Sequence, residues 1–453
     1  MPLQRPQIVL FGQFALVITC LALNGAASAS NPLDLQQAYS LARQAEPNYL
    51  AAQAAANEAR EFEPQAYAQF LPNIQLSGNQ GWADTTQTDI LGQQINSASY
   101  NYDSHAYNLT VRQPLIRSQS WANYAQASAR VEGAEADLQA ALKTLGQQVI
   151  SEYFNLLFSI DVQRLLEAEK SATASLLTAA RRSFEQGRGT RNDIDEAQAN
   201  YDMILAQEIE ATQNILMAKR KLSALVGESV DQVLPLNPEK MVLSQPDHPD
   251  LAYWQGQANS NSPQILSLSA AVDSARHLRR KAAAAHQPTL DAVYQKSDTL
   301  SDGDSNINRR NKTDRVSLQL TIPLFTGGYD VSVQRQAVAN EEKTRQKLEA
   351  ARRSLAIEVQ KQYQIIVQGG ERIRALVTAQ QSASQMVIST EKGVLAGTRT
   401  RLDVLEARRK AALVERNLAQ ARYSFVLAKF QLSSMAGEED LEVIERINRW
   451  LDF

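Results

Sequence analysis

Cysteine is nearly absent from this 453-residue chain: the single Cys20 lies in its first segment, so everything downstream folds without disulfides or thiolate metal ligands. Histidine is scarce too. His105, His248, His277 and His286 are scattered without metal-ligand spacing, and no nucleophile motif or phosphate loop accompanies them, so no enzyme chemistry, metal or cofactor is expected. A basic surplus is missing, with 46 Lys and Arg against 49 Asp and Glu, which argues against a nucleic-acid partner. Past residue 29 there is no uninterrupted apolar run of about 18 residues, so no membrane-spanning helix is expected. Proline is missing from two long stretches, between Pro114 and Gly187 and between Pro323 and Gly397.

The N-terminus has a secretory pattern. Arg5 supplies a positive start, Ile8 to Leu23 an apolar core, and Ala27-Ser28-Ala29 small residues for cleavage, so 1–29 reads as a signal peptide. Export without a spanning helix leaves the periplasm, the exterior or an outer-membrane barrel.

The remainder is a duplication. Gly187-Arg188-Gly189-Thr190-Arg191-Asn192-Asp193 resembles Gly397-Thr398-Arg399-Thr400-Arg401-Leu402-Asp403 at an offset of 210, and Tyr153 matches Tyr363 at the same offset. Pro47 pairs with Pro263 and Pro72 with Pro288 at an offset of 216, so a length change falls between, as in a loop. The first repeat is placed at 30–227, a proline-rich linker at 228–250, the second repeat at 251–437 and a tail at 438–453. Each repeat reads helix, strand, loop, strand, long helix, shorter helix.

Period-two alternation marks strands at about 73–82, 105–114, 289–296 and 314–323. Leu109 and Val111 alternate with Thr110 and Arg112, and Leu318 and Leu320 with Ser317 and Gln319. Polar stretches 83–101 and 297–312 read as loops. The proline-free stretches are alanine-rich and predict helices about 105–110 Å long. Leu138, Leu142, Leu145, Val149, Tyr153, Leu156 and Ile160 recur about every 3.67 residues, echoed by Leu348, Leu355, Val359, Tyr363 and Ile366. That period gives nearly straight packing, suited to the wall of a wide cylinder. Four strands cannot close a barrel in lipid, where open edges are not tolerated, so three chains and twelve strands form the smallest useful solution. The competing reading is a soluble periplasmic coiled-coil adaptor or scaffold, which leaves the strands without a purpose.

These residues resemble the TolC family of outer-membrane efflux and secretion channels over nearly the whole chain after residue 29. The most specific pieces are Gln113-Pro114-Leu115 and Ile322-Pro323-Leu324-Phe325 at the strand-helix junctions. Phe184-Glu185-Gln186-Gly187 with Asp193, and Gly397-Thr398-Arg399-Thr400 with Asp403-Val404-Leu405, mark the hairpin turns. The resemblance implies a mainly α chain with a small β part: a homotrimer with a 12-stranded barrel in outer-membrane lipid and a 12-helix periplasmic tunnel. It implies partners as well, a periplasmic adaptor and an inner-membrane ABC or proton-driven transporter. It further implies a periplasmic gate in which Arg399 links neighbouring hairpins, Asp193 is its acidic partner, and Asp403 with Glu406 rings the constriction. Val394 stands where the family has a tyrosine that helps hold the closed state. The cargo, secreted protein or small toxic compound, is left open.

Overall fold

The computed structural model describes residues 32–91, 94–246, 248–301 and 309–452; the signal peptide expected over 1–29 lies outside them. The first repeat opens with three short helices, α1 (Leu35–Ala45), α2 (Pro47–Arg60) and α3 (Phe62–Tyr67). Strands β1 (Asn73–Leu91) and β2 (Gln94–Ile116) follow, then α4 (Ser118–Glu185) and α5 (Arg191–Val226). The second repeat has α6 (Leu251–Asn261), α7 (Pro263–Ala283), β3 (Thr289–Leu300), β4 (Arg310–Thr321), α8 (Tyr329–Leu395) and α9 (Arg401–Met435). A last helix, α10 (Asp440–Asn448), closes the chain. Pro47 and Pro263 each stand in the first turn of their helix, where a missing N–H is harmless.

With no proline to break them, α4 and α8 run for 68 and 67 residues, about 100 Å each at 1.5 Å per residue. Their apolar stripes become the core. Leu145, Val149, Tyr153 and Leu156 of α4 and Val359 and Ile366 of α8 are buried against Phe425, Val426 and Phe430 of α9. Leu138, Leu142 and Ile160 pack at the margins of the same cluster.

A belt of extended chain crosses this core. Leu33 pairs in parallel with Val233, and Leu236 in antiparallel with Leu451, so the start, middle and end of the chain lie side by side. Tyr153 fixes it from below, donating its buried hydroxyl to the carbonyls of Leu33 and Leu234, each at 3.0 Å. Its duplicate Tyr363 donates to Pro249 O, ahead of α6 as Leu33 is ahead of α1. Residues 440–448 of the tail form α10, whose buried Asp440 accepts from Lys143 Nζ and Ser434 Oγ, each at 2.9 Å. Gly146 of α4 permits that contact: a Cβ there would lie 2.7 Å from Asp440 Oδ2.

The four strands form one antiparallel sheet in the order β1-β2-β3-β4. The strands run further than alternation marks, and the expected loop 83–101 is instead paired strand, β1 meeting β2 continuously to Leu91 opposite Gln94. The reason is that apolar alternation reports only strands with one apolar face. Beyond that point polar strand formers hold the ladder through side-chain pairs: Thr85 with Tyr102 at 3.3 Å, Thr88 with Ser97 at 3.1 Å, and Ser99 to Asp84 at 3.0 Å. The stretch 297–312 likewise contains strand at 297–300 and 310–312.

Replacing Tyr153 with Phe strands the buried Leu234 carbonyl, while Leu33 O keeps its bond from Leu234 N, and is expected to cost about 1–3 kcal/mol of stability. Tyr363→Phe, at a more exposed hydroxyl, costs less. Denaturant midpoints of the detergent-solubilised protein check the order.

Candidate functional site

Facing positions on adjacent strands point to the same side of a sheet, so the register assigns every side chain to a face. One face carries the row Ile74, Val111, Tyr294 and Val316, flanked by Leu76 with Leu109, Ala292 with Leu318, and Leu290 with Leu320. The other carries Gln75, Thr110, Gln295 and Arg315, then Ser77, Asn108, Ser297 and Thr313. The apolar face is uncovered: Ile74 is 68% exposed, Leu76 74%, Val316 81% and Leu318 70%. Such a surface is stable against lipid, and its polar reverse is stable against water. Strands β1 and β4 are each paired on one side only within this sheet.

Below the sheet, Tyr67, Leu71, Trp121, Leu324, Phe325 and Tyr329 are exposed, a girdle of the kind found where a barrel meets the membrane-water boundary. Pro114 and Pro323 sit at this level. The β2–β3 register shifts between Pro114 and Ile116, where proline's missing donor makes a bulge natural. Asp291, opposite Pro114, is buried and holds the bend. It accepts two hydrogen bonds from Arg117, at 3.0 and 2.6 Å, and faces Arg112 at 3.6 Å.

The opposite end of the long helices carries two turns of near-identical build. Gly187 and Gly397 have φ of 68° and 74°, which side-chain-bearing residues rarely adopt. After each turn the next helix begins with a reciprocal capping box. Thr190 N donates to Asp193 Oδ2 at 2.8 Å while Asp193 N donates to Thr190 Oγ1 at 3.2 Å. Thr400 and Asp403 repeat this at 2.7 and 3.2 Å. Both carboxyls are held below their usual range, chiefly by the threonine N–H, with the Arg401 charge adding to the effect at Asp193 and Arg399 at Asp403.

Between the turns lies a groove of about 550 Å³ lined by Arg188, Asp193, Val394, Arg399 and Arg401 among others. Asp193 and Arg399 therefore share one groove. Asp403 and Glu406 are not part of its lining; Asp403 is half-buried and Glu406 exposed one turn further along α9. The hydrogen bond that crosses from one tip to the other is Arg401 Nη2 to Ser183 Oγ, at 2.9 Å. Higher up, Arg409 of α9 donates to Asn200 of α5. Arg401 was not marked by the family motif, although it repeats Arg191 at the 210-residue offset. Asp291 and Arg117 are 174 residues apart, and no local pattern joins them.

A polar-in, apolar-out sheet with two open edges, set on hairpins about 100 Å long, defines a subunit of an outer-membrane channel that copies of itself must complete. The outer membrane efflux protein family matches residues 38–228 and 254–438, and the chain belongs to that family, whose members are trimeric channels joining a β-barrel to a helical tunnel. It is similar to the alkaline protease secretion protein AprF of Pseudomonas aeruginosa, 30% identical over 98% of this chain and 92% of that protein. It is also similar to the proteases secretion protein PrtF of Dickeya chrysanthemi, 26% identical over 84% and 83%. Among solved structures, the outer membrane protein VceC of Vibrio cholerae superposes with a TM-score of 0.75 at 18% identity, over 89% of this chain and 96% of that one. The protein is thus an outer-membrane channel with a large periplasmic part, and the soluble-scaffold reading falls.

Because the folded-state pKa of Asp193 and Asp403 lies below the ordinary 3.8, their contribution is complete above that value and is lost only as pH falls through the lower, folded one. Amide protection at 190–193 and 400–403, corrected for intrinsic exchange, should stay level from pH 7 to about 5 and collapse below the carboxylate range.

Proposed function

We propose that this trimer is the outer-membrane exit of a protein-secretion route, fed by an inner-membrane ABC or proton-driven transporter through a periplasmic adaptor and gated at the tunnel tip. The observation that carries the conduit is the sheet: a face of exposed Ile, Leu and Val backed by Gln, Thr, Ser and Arg suits a wall between lipid and a water-filled lumen. Protein cargo is favoured because AprF and PrtF are both, by name, protease secretion proteins.

In this reading Arg399 of one protomer pairs with Asp193 of the next, while Asp403 and Glu406, three residues apart and so on one helix face, give a ring of carboxylates in the trimer. Exposed pairs are each worth about 0.2–1 kcal/mol, so three hold a closed state by a few kcal/mol. An adaptor that binds the open form better shifts that balance. Val394 carries no hydroxyl, so the tyrosine bond of other family members has no counterpart at that position.

The cargo is tested by deleting the gene in its own host and comparing culture supernatants. Loss of one or more secreted proteins, restored by complementation, is expected. An unchanged supernatant with raised sensitivity to small toxic compounds would overturn protein secretion and leave efflux.

The gate is tested in planar bilayers. Arg399→Ser should raise single-channel conductance. Asp403→Asn, which keeps an oxygen for the Thr400 N–H and removes only the charge, should weaken block by multivalent cations. Asp403→Ala would confuse the two effects by removing the helix cap as well.

A further inference from the structure

Equivalent positions of the two tips perform different tasks. At the 210-residue offset Ser183 corresponds to Gly393, Arg191 to Arg401 and Asp195 to Leu405. In the first tip Arg191 folds back on its own helix, Nε to Asp195 Oδ1 at 3.1 Å, with 74% of its side chain exposed. In the second tip the acid four residues on is replaced by buried Leu405, so Arg401 has no such partner on its helix. The turn carbonyls match: Ser183 O accepts from Arg188 N and Gly189 N, and Gly393 O from Thr398 N and Arg399 N. Only Ser183 adds a hydroxyl beside that carbonyl, and Arg401 Nη2 donates to it at 2.9 Å, joining the first residue of α9 to the last turn of α4. Two helical turns further on, the same side of α9 sends Arg409 to Asn200 of α5.

We infer that Arg401, anchored on Ser183, is the latch within each protomer that holds the second hairpin against the first at the tunnel tip. The inference rests on the proposed gate and assigns it a residue beyond Asp193, Arg399, Asp403 and Glu406. Arg401 comes from the start of α9 and spans the groove that Val394, at the end of α8, lines without a polar group. A side chain committed to a neighbour's hydroxyl fixes the separation of the two tips. Widening the tip by parting the hairpins breaks this bond in all three protomers. Its duplicate Arg191, paired on its own helix, leaves the tip unaffected.

The test measures single-channel openings of the detergent-purified full-length trimer in planar bilayers at neutral pH. Arg401→Ala and Ser183→Ala should each raise the frequency of openings at least about tenfold, the effect of losing one hydrogen bond to a charged group where opening breaks three. Alanine at 183 favours its helix, so that variant keeps the fold. The double variant should open no more often than either single one, because both remove the same bond. Arg191→Ala should match the unaltered channel. If Arg399→Ser opens the channel while Arg401→Ala and Ser183→Ala do not, the latch is wrong and the gate stands. Additive effects in the double variant also overturn the latch. If none of the three opens it, the gate reading itself fails.

Discussion

In hydrocarbon every backbone N–H and C=O must find a partner inside the protein, because no water is there to serve. That requirement reaches further through this molecule than any single contact. A chain with four strands and two unpaired edges cannot meet it alone, so the sheet has to continue into copies of itself. The tunnel follows the same threefold arrangement, since the strands of each repeat lead directly into its long helix through Pro114 or Pro323. The Asp291 cluster then ties the orientation of β3 to the start of α4, which couples the barrel of one repeat to the tunnel of the other.

How much of this could be read in the residues depends on the distance over which each interaction acts. The long helices were legible because their causes are local: absent proline, abundant alanine and an apolar stripe whose members Leu145, Val149, Tyr153 and Leu156 all prove buried. The lipid-facing rows were legible for the same reason. The far half of the β1–β2 hairpin was not, since Thr85 pairs with Tyr102, Thr88 with Ser97 and Ser99 with Asp84, and neither face is apolar. Of the belt, only the proline-rich segment 228–250 was legible, as a linker and candidate belt, and its pairings were not. Its partners Leu33, Val233, Leu236 and Leu451 lie hundreds of residues apart and carry no motif.

Duplication supplies an economy and then a device. Paired tyrosines, paired prolines, paired glycine turns and paired capping boxes give both halves one construction. Structural difference enters through small departures from the copy. Asp195 against Leu405 and Ser183 against Gly393 are enough to turn one arginine outward and send its twin across the groove. A repeat alignment is therefore most informative where equivalence fails beside a conserved geometry, and here that place is the tip.

The capping boxes constrain how such a tip can work. Asp193 and Asp403 each use a carboxylate oxygen to hold the first turn of a helix, so the charge moves only with the helix. Swinging either side chain toward a new partner would release its threonine N–H and fray the helix start. Their depressed pKa values give the same answer from another direction, because protonation near neutral pH cannot free them. The arginines are the adjustable half: Arg399 is exposed, and Arg401 reaches its serine through a long, flexible stem. In the proposed gate, opening would consist of helices carrying fixed carboxylates away from mobile guanidinium groups, a rigid-body displacement that a partner gripping the hairpins would be well placed to drive.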